Sequence, residues 1–292
     1  MPEISEKARA RGAALTILAG IIFSTGGLFV KLIPWNAMAI NGARHMISFC
    51  VVLPYLLLTH HRIRFNARVL ECSLAQTLTH IIFTFATQLT TAGNAIVLEY
   101  TSPIWVILIS TVVLKKKPDK LDIRACIMIF AGIVCFFIDS LSGGNALGNL
   151  LGLVAGICYA CFYVLGTRSD SDAFSSLLVT NFICGLVGLP WLVRTDIAGA
   201  PASTLLAVLC FGVFQVALAN ILLAEGFKTV NPVTASLLTA LEPVLNPILV
   251  AVVYKEMLSP VSIVGVVIVL GAIVYYNYMK AKQAQREAFA NI

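Results

Sequence analysis

The sequence predicts an all-α membrane protein: ten transmembrane helices folded as two inverted five-helix repeats around a central cavity. Three observations lead there. The chain is too apolar for a soluble core, it divides into ten apolar stretches of membrane length, and its second half repeats the first at a spacing of 140 residues.

Hydrophobic residues fill 59% of the 292 positions and charged residues only 12%, with a mean hydropathy of +0.92. Soluble domains average roughly 45–50% apolar and about 25% charged. No soluble fold of this length has the interior to hide so much apolar surface, so lipid is the solvent for most of the chain. The net charge of +6 fits cytoplasmic loops that face anionic headgroups better than a nucleic-acid partner. All eight cysteines lie in or beside apolar stretches, where a disulfide framework would place them in loops. Cys158 and Cys161 form a C-x-x-C inside an apolar segment with no histidine or second pair nearby. They read as packing residues, with no metal and no cofactor implied.

Crossing the hydrocarbon core takes about 20 apolar residues per helix. Breaking the chain at charges and turn residues gives spans near 12–33, 37–59, 69–90, 93–114, 121–140, 147–167, 174–193, 203–225, 230–254 and 259–279. The first follows Lys7, Arg9 and Arg11 and resembles a signal peptide, but it is longer than a signal core of about 7–15 residues and more spans follow. Short connections carry the punctuation, as in Pro34-Trp35-Asn36, Lys116-Lys117-Pro118, Ser142-Gly143-Gly144 and Gly199-Ala200-Pro201. With the amino terminus in the cytoplasm, sixteen of the twenty lysines and arginines fall at inner helix ends; the other four are Lys31, Arg44, Arg194 and Lys255. This bias puts both termini on the cytoplasmic side of a cytoplasmic membrane and requires an even number of spans.

Laying positions 94–134 over 234–274 matches nine of 41 pairs, among them Pro103/Pro243, Val112/Val252, Val113/Val253 and Lys115/Lys255. A weaker echo joins Ala19-Gly20-Ile21 to Ala155-Gly156-Ile157. Five spans per half is odd, so the second half is inverted, a signature of secondary transporters with a site at the repeat interface. The organisation expected is a cytoplasmic segment at 1–11, repeats at 12–141 and 146–280, and a cytoplasmic tail at 281–292.

Polar groups at membrane depth must face partners or water, because an ionisable group at a helix centre costs roughly 2.5–3.5 kcal/mol. Span two carries Asn41, Arg44, His45 and Ser48 on one stripe, and span three carries Gln76, His80, Thr84 and Thr87. Span nine carries Ser236, Thr239, Glu242 and Asn246. Spans five and ten are almost free of such groups and read as peripheral. Glu242 and His80 sit near the midplane. Arg44 and Glu99 share a depth and read as a structural ion pair or gate, with direct substrate contact as the alternative. Glu242 is expected to bind a substrate amine or a proton; the alternative is a protonated carboxyl bonded to a neighbouring helix. Gln76, His80, Thr239 and Asn246 complete the polar lining.

Pro103 and Pro243 remove backbone donors and free the carbonyls of Glu99 and Thr239, making either hinges or static kinks. Tyr159, Phe162, Tyr163 and Gly166 form a stripe on span six, and Trp105 shares a face with Asn94 and Thr101. These aromatics stack on a substrate or simply pack. Gly148, Gly152 and Gly156 give G-x-x-x-G twice, which permits a close contact inside the molecule or between copies of a weak homodimer.

Two stretches carry a family resemblance. In the first, Tyr100-Thr101-Ser102-Pro103 is followed by Lys115-Lys116-Lys117; in the second, Leu241-Glu242-Pro243-Val244 is followed by Tyr254-Lys255-Glu256. They resemble the paired EamA-type domains of the drug/metabolite transporter superfamily, and the resemblance covers essentially the whole chain. It implies a ten-helix basket with a central cavity that exports amino acids or related metabolites, with Tyr100 added to the substrate-contacting set. Arg44 looks like an arginine often found in span two of that family, although span seven has no counterpart.

No H-E-x-x-H or G-x-S-x-G occurs, and the Leu141-Ser142-Gly143-Gly144 run has no Walker A companion, which argues against an enzyme. The expectation is a secondary transporter, monomeric or weakly dimeric, that moves a small amine-bearing metabolite by alternating access. A carrier for another metabolite, organic cation or drug, or a channel, stands as the alternative.

Overall fold

A computed structural model describes residues 6–90, 92–113, 115, 117–138, 145–254 and 259–290. Lys116, the Ser142-Gly143-Gly144 turn, the Leu141 end of the first repeat and the Lys255-Glu256 pair lie outside the described residues. Fourteen α-helices and one π-helical segment make up the described secondary structure.

The first half contains α1 (Glu6–Phe23), α2 (Gly26–Leu32), α3 (Ala37–Leu58), α4 (Ala67–Leu89), α5 (Ala92–Glu99), α6 (Ser102–Val113) and α7 (Lys120–Phe137). The second contains α8 (Ala146–Gly166), α9 (Ala173–Leu192), α10 (Ala202–Cys210), the π-helical segment Phe211–Leu218, α11 (Ala219–Phe227), α12 (Pro232–Thr239), α13 (Glu242–Tyr254) and α14 (Pro260–Ala290). Among the described residues eight stretches are long and apolar enough to cross a membrane: 6–32, 37–58, 67–89, 94–113, 146–166, 173–192, 202–227 and 260–280. Two of the ten expected spans fall outside that set. The fifth is the 18-residue α7, whose first turns hold Lys120, Asp122 and Arg124. The ninth is broken between α12 and α13.

Helix starts are written in the connections. The Asn36, Asn66, Asn145 and Asn231 side chains accept from the amides of Met38, Val69, Leu147 and Thr234 at 2.8–2.9 Å, each satisfying a donor the first helical turn leaves open. Asp119 and Asp122 close a capping box on α7.

Three expected continuous spans are interrupted at depth. Span one breaks at Ser24-Thr25, span four at Tyr100-Thr101 and span nine at Ala240-Leu241. Span eight relaxes into the π-helical segment. Pro103 and Pro243 therefore sit in the first turn of α6 and α13, where a missing amide is harmless. They are not kinks inside one continuous helix, as expected from the sequence.

The breaks are covered by glycines. A Cβ added at Gly156 would lie 2.8 Å from the carbonyl oxygens of both Leu98 and Glu99. One added at Gly20 would lie 3.6 Å from the Leu238 oxygen and 3.7 Å from that of Thr239. The carbonyls at the breaks thus face the backbones of α8 and α1, so they are shielded from lipid, and that of Leu98 also accepts from the amide and hydroxyl of Thr101. Gly148 and Gly152 press the same helix against Leu89 and against Leu98 and Ala95, making the G-x-x-x-G contact internal.

Packing follows a paired scheme: α3 lies on α9, α4 on α8, α1 on α11, and α7 on α14. Helix α8 also covers α5 and α6, and α1 covers α12 and α13. Helices α3 and α9 touch backbone to backbone, since a Cβ on Gly188 would fall 2.4 Å from the Gly42 Cα. The α7–α14 pair is tied by Tyr276 donating to Asp122 at 2.9 Å and by Lys280 at 2.9 Å from the same carboxylate. Helix α14 runs on through the expected tail to Ala290.

Candidate functional site

Two polar clusters occupy the interior. The first lies where the broken helices α5/α6 and α12/α13 meet α8. Glu242 opens α13, directly after the break, and its carboxylate accepts from the Tyr100 hydroxyl at 2.7 Å. The Tyr163 hydroxyl donates to Tyr159 at 2.9 Å and shares a short hydrogen bond with Thr239. Tyr100 and Tyr159 meet edge to face with ring centroids 6.5 Å apart. Trp105 donates to the Thr101 hydroxyl at 3.1 Å on the rim of this group. The structure therefore brings Glu242, Tyr100, Tyr159, Tyr163, Thr239 and Trp105 into one acidic, aromatic-walled cluster, with Glu99 at the end of α5 beside it. Glu99 and Glu242 interact electrostatically with each other and with Arg44.

The second cluster lies between α3, α4, α9 and the second half of span eight. His45 Nδ1 is 2.8 Å from Asn181 Oδ1, and the His45 and His80 rings meet at a tilt of 56° with centroids 4.7 Å apart. Gln76 donates to Asn220 at 2.9 Å, and Asn220 donates to the Val216 carbonyl at 2.8 Å. Arg44 donates to Asn41 at 2.9 Å and stands over the Phe211 ring, 5.0 Å from its centroid.

These contacts correct three sequence expectations. Arg44 and Glu99 form no ion pair within 4 Å, because Arg44 is held by Asn41 and Phe211 on its own side of the molecule. Gln76 and His80 belong with Arg44 and not with Glu242. Asn246 stands against α2, where a Cβ on Gly27 would lie 2.1 Å from its side-chain oxygen, so it is a packing residue there. Asn181, Asn220 and Thr77 are interior polar residues that the stripe analysis did not single out. Each is polar inside an apolar stretch, which is the signal that could have found them.

A cavity of about 1720 Å³ opens at one end of the bundle. Arg9 of α1, Arg62 and Arg64 of the α3–α4 connection, Arg168 of the α8–α9 connection, Lys228 after α11 and Lys280 of α14 all border it. Its floor is Phe227, which packs 5.4 Å from the Phe162 ring and 5.8 Å from Tyr163, centroid to centroid. Phe162, Tyr163 and Phe227 are all buried, so these rings separate the basic vestibule from the acidic cluster. Within the vestibule wall, His61 and Ser175 both bond the Asp172 carboxylate. Arg168, hydrogen-bonded to Asp170, holds that exposed carboxyl down to about 2.

Helices interrupted at depth around carboxylates, tyrosines and an arginine are the construction of a polytopic membrane transporter. The chain belongs to the EamA-like transporter family, which matches residues 10–138 and 146–278 as two successive copies. It is 22% identical over 263 residues to an uncharacterized transporter of Archaeoglobus fulgidus, covering 90% of this chain and 94% of that one. It is 24% identical over 220 residues to an uncharacterized transporter of Clostridium kluyveri, covering 71% and 70%. A solved crystal structure superimposes with a TM-score of 0.76 over 93% of this chain and 98% of its own, at 18% identity, and so shares the fold.

Proposed function

We propose that this transporter moves a small amine-bearing metabolite, an amino acid in the first instance, by alternating access, in the direction of export. The carrying observation is Glu242. A carboxylate at a helix break, steadied by Tyr100 and walled by Tyr159 and Tyr163, is a ready partner for an ammonium group.

Ten spans as two inverted repeats account for the packing. If each helix of the first half corresponds to one five spans later, α4 on α8 maps onto α11 on α1, and α8 over α5/α6 maps onto α1 over α12/α13. Both mappings occur. Gly156 over the span-four break and Gly20 over the span-nine break repeat the relation at single residues. Helices α1 and α14, which hold the described ends of the chain, both border the basic vestibule. That arrangement, together with the lysine and arginine bias, supports cytoplasmic termini. Phe162, Tyr163 and Phe227 then form the inner gate, and the breaks beside Pro103 and Pro243 provide the hinges.

The test is counterflow of radiolabelled amino acids in proteoliposomes. Wild-type protein is expected to show saturable exchange. Glu242→Gln should slow it about 100-fold or more while the protein still purifies as a folded monodisperse species, consistent with the loss of one buried charge-assisted contact of about 3 kcal/mol. Equal counterflow in the variant, or non-saturating flux in the wild type, would contradict the proposal, the latter in favour of a channel.

A further inference from the structure

Eight of the ten buried side-chain atoms that lack a hydrogen-bond partner among the described residues come from one wedge between α3, α4 and α9. They are Asn41 Nδ2, Arg44 Nε, His45 Nε2, Ser48 Oγ, Gln76 Oε1, Thr77 Oγ1, His80 Nε2 and Asn181 Nδ2. Asn41, His45, Ser48, Thr77 and Asn181 are each at most 3% exposed. Polar atoms left unsatisfied at membrane depth are costly, and a cluster of them is not what packing alone produces.

The polarity of this demand is lopsided. The Asn41 oxygen is taken by Arg44, and the Asn181 oxygen faces His45 Nδ1. Both amides therefore turn their NH2 groups, which can only donate, into the wedge. Arg44 Nε is a donor as well, and the Ser48 and Thr77 hydroxyls can donate. Gln76 Oε1 is an obligate acceptor, and so is Nε2 of a neutral His45, whose Nδ1 donates to Asn181; the remaining atoms of fixed polarity are donors. Among the described residues Arg44 has no carboxylate within 4 Å, while Glu242 and Glu99 are near enough to act on its charge.

We propose that this wedge is a carboxylate-binding subsite, with Arg44 as its cation and Asn41, Asn181, Ser48 and Thr77 as its hydrogen-bond donors. The inference rests on the amine reading of Glu242 and extends it: one small zwitterion spans the two clusters, its carboxylate toward Arg44 and its ammonium toward Glu242. Charge-assisted bonds to a guanidinium are the strong ones, and a carboxylate matches the fork that Arg44 presents. Selectivity follows directly. A bare amine leaves the donors of the wedge unpaired and should bind more weakly than the zwitterion, because a site with unpaired buried donors discriminates against the ligand that lacks the matching acceptor.

The test is thermal unfolding of the purified full-length protein in detergent at constant ionic strength set with sodium isethionate. Sodium acetate, sodium chloride and ethylammonium are the probes, each at 100 mM. Acetate is expected to raise the wild-type Tm by about 2 °C or more. Arg44→Gln should abolish that rise and Glu242→Gln should keep it, whereas the ethylammonium response should be lost in Glu242→Gln and kept in Arg44→Gln. Asn181→Leu, which leaves the arginine in place and should weaken the acetate response severalfold, serves if Arg44→Gln does not fold. An acetate rise absent from the wild type, or equal in wild type and Arg44→Gln, overturns the subsite. A chloride rise as large as that of acetate assigns the wedge to a free inorganic anion and overturns the substrate-carboxylate assignment. An ethylammonium response that is absent from the wild type, or unchanged in Glu242→Gln, removes the amine reading of Glu242 and leaves the carboxylate subsite standing.

Discussion

The acidic cluster and the basic wedge have been built in opposite ways. Around Glu242 the polar atoms are matched within the protein: Tyr100 serves the carboxylate, Tyr163 serves Tyr159 and Thr239, and Trp105 serves Thr101. Around Arg44 the hydrogen bonds bring helices together, while much of the donor capacity is left over. The first arrangement holds a charge in place, and the second is prepared to receive one. The scaffolds differ too. The acidic side stands on broken helices whose backbones at the breaks are covered by Gly20 and Gly156, whereas the basic side stands on the continuous helices α3 and α9, locked at Gly42 and Gly188. A site that must adjust and a site that must stay rigid call for those two supports.

Five single substitutions and one double variant break or sharpen this contrast, beginning with the largest expected effect. Gly188→Leu drives a side chain into the Gly42 backbone and should cost about 3 kcal/mol or more in denaturant unfolding, because backbone cannot step aside. Gly271→Ala, with nothing within 4 Å of the added carbon, should stay within about 0.5 kcal/mol in the same assay.

On the basic side, Gln76→Leu leaves the Asn220 amide oxygen without its donor and should lose about 1–2 kcal/mol. The double variant Gln76→Leu/Asn220→Leu should recover much of that, since removing both partners leaves less to satisfy. A double variant worse than the sum of the singles would show that packing, not polarity, governs the pair. On the acidic side, Tyr100→Phe keeps the ring and removes the hydrogen bond to Glu242. Transport half-saturation should weaken about tenfold, equivalent to about 1.4 kcal/mol, with unchanged thermal stability.

At the vestibule the smallest effect is expected. The Arg168 hydrogen bond depresses the Asp170 carboxyl to about 2, below the unfolded value of about 3.9. Its contribution is present above that unfolded value and disappears as the pH falls toward 2. Because the Asp170 side chain is half-exposed and its pairing is screened by water, Asp170→Asn should be nearly silent in thermal unfolding at pH 7.

Much of the architecture was legible in the chain. Apolar length and the lysine and arginine pattern located the helices, because lipid and headgroups act on composition alone. The interruptions at Ser24-Thr25, Tyr100-Thr101 and Ala240-Leu241 were not legible, since hydropathy is blind to which amide bonds which carbonyl. The stripes on α3 and α4 were assigned to the interior, but periodicity fixes a face and not its partner. Depth alone therefore matches Arg44 to Glu99, whereas Asn41 and Phe211 hold it. The echo between Ala19-Gly20-Ile21 and Ala155-Gly156-Ile157 has an offset of 136, and that offset also relates Asn36 to Asp172, Pro54 to Pro190 and His45 to Asn181. The first two are helix caps and the second two are prolines inside α3 and α9. The last two are hydrogen-bonded to each other. Followed from residue 19 to residue 54, the same shift would have located the centre of the basic wedge in advance.

Alternating exposure of the acidic cluster is the central claim, and side-specific labelling tests it most directly. A single cysteine at Thr101, in a background with the eight native cysteines replaced, is reconstituted in oriented proteoliposomes and reacted with a membrane-impermeant maleimide from each face in turn. The account predicts reaction from both faces, with saturating substrate shifting the ratio of the two rates. Reaction from one face only, unmoved by any amino acid that the protein exchanges, contradicts it.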